Sequence, residues 1–234
     1  MKLSQPGALN AATPSGEGNL SAAFNVTNNA PVASLLHLVR LDDLKLCQPT
    51  GGEISVECWV KPAALTTAII VGRDDGAERL FRIGTRIIED KAGKRIVFYS
   101  DIAGDGNGGM RTADKPEFLP STEKWSHVIL TYGGGKRRLF VNGRLADEAA
   151  TTGKLPTGTV PLTIGGGAKY NEGFSGWIDE VAIYHRALSE AEVKEHRGIG
   201  SGEATKGLEL SPRTQAWRAY CQALLCGNEF IYVE

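Results

Sequence analysis

The clearest pattern in the chain is an alternation of apolar and polar side chains with a period of two. In Ile54-Ser55-Val56-Glu57-Cys58-Trp59-Val60, the residues Ile54, Val56, Cys58 and Val60 alternate with Ser55, Glu57 and Trp59. Successive side chains of a strand leave opposite faces, so this run predicts a strand with one set in a core, ended by Pro62. Short apolar runs follow at Ala68 to Val71, Arg79 to Ile83, Ile87-Ile88, Ile96 to Tyr99, His127 to Tyr132, Arg138 to Val141, Leu162 to Ile164 and Gly176 to Tyr184. Upstream, Leu38 to Leu41 and Leu44 to Cys47 flank an Asp42-Asp43 reversal. Asn142-Gly143 tolerates the positive φ angles of a type I′ turn and predicts a hairpin across residues 138–145. Many short strands separated by turn residues, with no helices between them, predict an antiparallel sandwich or barrel rather than a parallel α/β sheet.

Helical signals are confined to the C-terminal part. Ser189 with Glu192 three residues later is a capping box, and Gly198 closes the short, largely exposed helix it opens. Residues 198–210 read as a linker. Ser211-Pro212 begins a second helix in the tail 211–234, with Trp217, Tyr220, Cys221, Leu224 and Leu225 on one face of a 3.6-residue period. Residues 1–34, rich in Ala, Asn, Ser, Thr, Pro and Gly, read as a weakly ordered leader or linker. The main domain is expected over 35–197.

Composition narrows the function classes. The 29 glycines among 234 residues suit a turn-rich β protein. Twenty-six Lys and Arg against 27 Asp and Glu leave a net charge of −1, without the basic excess that nucleic acid binding requires. No stretch approaches the roughly 20 apolar residues of a membrane span. The N-terminus lacks the apolar segment of a secretory signal, so the chain is expected to be cytosolic, already processed, or a fragment. Four cysteines without CxxC spacing disfavour structural zinc, and they leave the disulfide state of Cys47, Cys58, Cys221 and Cys226 open.

The strand beginning at Ile54 ends in Trp59-Val60-Lys61-Pro62. It is followed in order by Trp125 to Tyr132, by Leu139-Phe140-Val141-Asn142-Gly143, by Phe174 to Tyr184, and by His185-Arg186-Ala187-Leu188-Ser189. This series resembles the laminin-G-like, concanavalin A-like jelly-roll domains over residues 38 to about 197. The resemblance implies two packed antiparallel sheets with short C-terminal helices, a concave face and rim loops that bind glycans or proteins in some members, calcium at the rim in many, and a secreted or cell-surface setting. The segment from Trp217 to Glu234 resembles the C-terminal end of large bacterial multidomain surface proteins of unknown function.

Catalysis finds little support in the residues. A glycanase needs two carboxyls about 5–9.5 Å apart across a cleft, and adjacent Asp179 and Glu180 leave opposite faces of a regular strand. The expected role is therefore a non-catalytic binding module, with a structural or docking domain as the alternative and a glycanase as a third class. Arg82, Tyr99 and Asp101 on neighbouring strands offer a planar donor, a ring and an acceptor for a sugar, while Tyr99 is equally a core candidate. Asp105 and Asn107 sit in a glycine-rich loop suited to ligand contact. Asp179, flanked by Trp177, Val181 and Ile183 on its own face and by Ile178, Ala182 and Tyr184 opposite, needs a partner. That partner is either calcium, with Asp42 or Asp43 as further donors, or backbone amides or an arginine. Trp217, Tyr220 and Leu224 are expected to dock against a neighbouring domain.

Overall fold

The computed structural model describes residues 2–6, 20–24, 26–27, 30–31, 39–41, 52–74, 78–91, 93–103, 111–151, 155, 157–167 and 172–201. The chain divides into two compact units, 1–204 and 205–234, and the described residues all belong to the first.

Alternation becomes architecture as expected, in two antiparallel sheets. One has seven strands in the order β1 (Lys2–Pro6), β2 (Leu20–Phe24), β15 (Gly176–Tyr184), β6 (Ile54–Pro62), β11 (Ser126–Gly133), β12 (Lys136–Val141) and β13 (Arg144–Ala150). The other has six, in the order β10 (Arg111–Ala113), β9 (Gly93–Ile102), β8 (Arg79–Asp90), β7 (Ala68–Asp74), β14 (Leu162–Ile164) and β5 (Val39–Leu41). A two-residue pair, β3 (Val26–Thr27) and β4 (Ala30–Pro31), stands apart.

The inward set is the one the period of two selects. Ile54, Val56, Cys58 and Val60 share one buried cluster with Phe81, Ile83, Phe98 and Ile102 of the other sheet, none more than 1% exposed. Each such aliphatic or aromatic side chain contributes on the order of 1.5–3 kcal/mol by burial. Cys58 is a free thiol in this layer, and burial, followed by the charge of Glu57, raises its pKa far out of the reactive range. Asn142 and Gly143, at φ 52° and 75°, make the hairpin turn between β12 and β13.

Three expectations change. The two runs around Arg79 to Ile83 and Ile87-Ile88 are one 12-residue strand, β8. The N-terminal segment read as a leader supplies β2, which pairs with β15, and its Phe24 is 1% exposed in the core. Phe24 stands in a stretch otherwise of Leu, Ala and Ser, and its burial follows from the pairing of β2 with β15.

The helix α1 (Glu190–Gly200) runs two residues past Gly198, and it is not left exposed. Ser189 Oγ accepts the Glu192 N–H at 3.3 Å and Glu192 Oε2 accepts the Ser189 N–H at 2.8 Å, completing the capping box. Ile129 and Phe140 face away from the main core, and they form a second buried cluster with Leu188 and Val193, against which Tyr184 packs. The helix thereby covers part of the outer face of the seven-stranded sheet. Among the described residues no helix is long and apolar enough to cross a membrane.

Candidate ligand-binding face

Cross-strand register builds the site on the outer face of the six-stranded sheet. Phe81 and Ile83 of β8, with Phe98 and Ile102 of β9, point into the core. The alternate residues Arg82, Gly84, Tyr99 and Asp101 therefore face outward. Register places Arg82 opposite Asp101 and Gly84 opposite Tyr99, with Gly72 of β7 on the other side of Arg82.

Arg82 is the hub. Its Nε and Nη2 donate to Asp101 Oδ2 at 3.2 and 3.0 Å, and its Nη1 donates to Asp74 Oδ2 at 3.1 Å. Arg79 Nη1 reaches the same Asp101 oxygen at 3.3 Å, and Glu172 Oε2 lies 3.9 Å from Arg82 Nη1. Burial opposes the Arg82 charge, but neighbouring Tyr99, Asp101 and Asp74 outweigh it, and the guanidinium pKa is raised above its ordinary value. Asp101 Oδ1 is buried without a hydrogen-bond partner among the described residues.

Gly84 explains the posture of Tyr99. A Cβ there would lie 2.7 Å from Tyr99 Cε1 and 2.2 Å from the Ala68 carbonyl oxygen, so the ring fits only over bare backbone. The Arg82 guanidinium sits 5.6 Å from the ring centroid, and Tyr99 is only 2% exposed. Burial, despite the opposing Arg82 charge, raises the phenol pKa. Glu172 reaches this face because the segment before β15 is pinned to β7, its carbonyl accepting the Ile69 N–H at 2.9 Å. Thr67, Arg82, Arg86, Ile87, Tyr99 and Glu172 line an open pocket of about 410 Å³.

Arg82, Tyr99 and Asp101 are thus brought together as expected, with Tyr99 serving as a buried support. Asp74, Arg86 and Glu172 were not anticipated; Asp74 and Glu172 carry no local motif and arrive through register and a loop crossing. Asp105 and Asn107 lie outside the described residues, as do Asp42, Asp43, Trp217, Tyr220 and Leu224.

Asp179 sits on the other sheet, where the expected alternation breaks. A bulge between Asp179 and Ala182 puts Glu180 at φ 48°, and the inward set switches from Ile178 to Val181 and Ile183. Asp179 is half-buried, and its Oδ1 accepts the Glu180 N–H at 3.0 Å, one of the two alternatives weighed for it. Among the described residues no group of three or more His, Cys, Asp or Glu is placed to hold a metal ion.

The outer face of the seven-stranded sheet holds a cluster that the sequence did not reveal. Glu57 is 6% exposed, and its Oε1 accepts from His127 Nε2 at 2.7 Å. Its Oε2 pairs with His196 Nδ1 of α1 at 2.9 Å and accepts the Tyr184 hydroxyl at 3.0 Å. Burial pushes the Glu57 carboxyl up, but hydrogen bonds and charge from His127 and His196 outweigh it and hold the pKa below the usual carboxylate range. Burial and Glu57 push Tyr184 up to about 12. Glu180 is raised by burial and by the charges of Asp179 and Glu57. A smaller pocket of about 210 Å³ remains between α1 and the bulge.

Comparison with known proteins agrees with this architecture. A heptameric SAP-like pentraxin of Limulus polyphemus superposes with a TM-score of 0.53 at 19% identity, over 74% of this chain and 78% of that one. The binding domain of Paraclostridial Mosquitocidal Protein 1 gives 0.51 at 16% identity, over 77% of this chain and 43% of that one. A sialidase from Streptococcus pneumoniae gives 0.50 at 17% identity, over 75% of this chain and 27% of that one. At these identities the likeness is one of fold. The laminin G pattern of the concanavalin A-like lectin/glucanases superfamily matches residues 37–194, more than half of the sequence, and the chain belongs to that superfamily.

Proposed function

We propose that this domain is a non-catalytic binding module of a bacterial secreted or surface protein, recognising a glycan or protein through the outer face of the six-stranded sheet and its rim loops. The observation that carries the proposal is Arg82, a donor fork fixed between Asp74 and Asp101 at the floor of an open pocket. A fixed fork meets a hydroxyl or carbonyl pair without first losing its own rotamer freedom. Membership of a superfamily that includes lectins supports the same reading. Both aspartates at this face are 3% exposed and bound to arginine, which suits them to orienting Arg82 and not to flanking a glycosidic bond.

A glycan array probed with the purified chain, followed by calorimetry on the retained glycan, tests the proposal; retention that is lost in Arg86→Ala supports it. Release of reducing ends from a retained polysaccharide overturns the non-catalytic part. Calcium belongs to the proposal through Asp42, Asp43 and Asp179, and a calcium titration of the same protein, with and without Asp179→Asn, reads it directly.

A further inference from the structure

We infer that the pocket between α1 and the β15 bulge is a second binding site, on the other sheet, that takes the ammonium end of an alkylamine. This site is independent of the proposed function and does not rest on it. Its geometry starts at the bulge. Ile178, Val181 and Ile183 pack on the core, so Asp179 and Glu180 both face outward, where a regular strand would have sent them to opposite faces. Glu180 holds φ 48°, a backbone conformation that side chains other than glycine rarely adopt. Its carboxyl thereby shares one face with Ala182 and Tyr184, and Ala182 is the register partner of Glu57. Glu57 and Glu180 consequently line the same pocket of about 210 Å³, the volume of about seven water molecules.

The rest of the lining is largely apolar. Trp59 and Ala182 of the sheet face Ile199 of α1, which is 49% exposed. Gly200 brings the helix end down onto the indole, since a Cβ there would lie 2.6 Å from Trp59 Nε1 and Cζ2. The two carboxylates differ in what they can accept. Glu57 already takes His127 on one oxygen and His196 and Tyr184 on the other. Glu180 is exposed, and burial together with the charges of Asp179 and Glu57 opposes its ionisation. The C-terminal end of α1 adds its negative partial charge at the same place. Arg197 lies over the Trp59 ring, 6.0 Å from its centroid, and its Nη1 donates to Ser201 Oγ; it does not line the pocket. An anion entering here meets two carboxylates. An alkylammonium lays its chain along Ile199 and Ala182 and donates an N–H to Glu180, a charge-assisted hydrogen bond.

The test titrates the full chain with n-pentylammonium, n-pentanol and pentanoate at constant ionic strength, followed by backbone amide chemical shifts. The expected result is saturable binding of pentylammonium, with perturbations gathered at Glu180, Ala182, Tyr184 and Ile199, and no binding of pentanoate. Pentanol is expected to bind about tenfold more weakly, the loss of a hydrogen bond to a charged group. Glu180→Gln should weaken pentylammonium by a similar factor and leave the melting temperature unchanged. Ile199→Lys, at an exposed position, sets a tethered ammonium at the pocket and should abolish binding. Nα-acetyl-lysine methylamide separates two sources of the same chemistry: tighter binding than pentylammonium assigns the site to a lysine side chain of a protein partner, and weaker binding assigns it to a free amine. Equal affinity for pentanol and pentylammonium, an unchanged affinity in Glu180→Gln, or no binding of pentylammonium up to about 50 mM overturns the inference and leaves the glycan reading of the other face untouched.

Discussion

The two outer faces of the sandwich treat buried charge in opposite ways. On the seven-stranded sheet, Glu57 is surrounded by His127, His196 and Tyr184 and roofed by α1. On the six-stranded sheet, Asp74 and Asp101 are held by arginines, and no helix covers them among the described residues; the pocket above is about 410 Å³ against about 210 Å³ on the roofed side. Both centres set cationic or hydrogen-bonding partners against a carboxylate whose desolvation would otherwise be costly, although Asp101 Oδ1 has no partner among the described residues. The difference lies in what remains available. Glu57 has all three partners inside the protein and serves to fasten a helix to a sheet, whereas the Arg82 centre fixes polar groups beside open space.

This contrast predicts that damage to the roofed centre lowers stability and spares binding, and that damage to the open centre does the reverse. The largest effect is expected for Glu57→Ala, which strands two imidazoles and a phenol; urea denaturation should show a loss of about 3–5 kcal/mol, with ligand affinity of the folded protein unchanged. Gly84→Ala should affect both properties. Its Cβ collides with Tyr99 and the Ala68 carbonyl oxygen, an overpacking that costs about 1–3 kcal/mol, and the displaced ring should weaken ligand binding measured by calorimetry. Ser189→Ala removes the N-cap of α1 and should cost about 1 kcal/mol in thermal or chemical unfolding, again without a binding effect.

Acid should act on the roofed side in the same direction. A carboxylate whose folded pKa lies below its unfolded value adds stability that is complete above about pH 4.3 and is lost as pH falls through the folded value. Glu57 is lowered in this sense. Glu192, held by Arg186 and by the amide and hydroxyl of Ser189, falls to about 2. Unfolding free energy should therefore decline as pH drops from about 4.5 towards 2, and Glu57→Gln should flatten that decline in part, a comparison made by denaturant titration at each pH.

Much of the fold was legible because the β period is read locally: Ile54 to Val60, the Asn142-Gly143 turn and the Ser189/Glu192 cap each carry their own signal. Arg82, Tyr99 and Asp101 could be grouped because neighbouring strands of a meander bring their outward sets together. Glu57 was hidden for the converse reason. Its place opposite the core set reads as solvent-facing, and nothing within β6 tells that α1, more than 130 residues later, will carry His196 onto it. The Asp179 bulge was hidden too, since a regular alternation through residues 177–183 fits the letters as well as the interrupted one does. Phe24 shows the third limit, an apolar residue in a polar segment whose burial depends on an edge built by other strands.

The claim that the six-stranded face is the binding face is tested most directly by backbone amide chemical-shift mapping during titration with a neutral oligosaccharide retained on the array. The account predicts perturbations gathered at Thr67, Arg82, Arg86, Tyr99 and Glu172, with Glu57, Tyr184 and His196 unmoved. Perturbations centred on the α1 side, with the Arg82 neighbourhood silent, would contradict it.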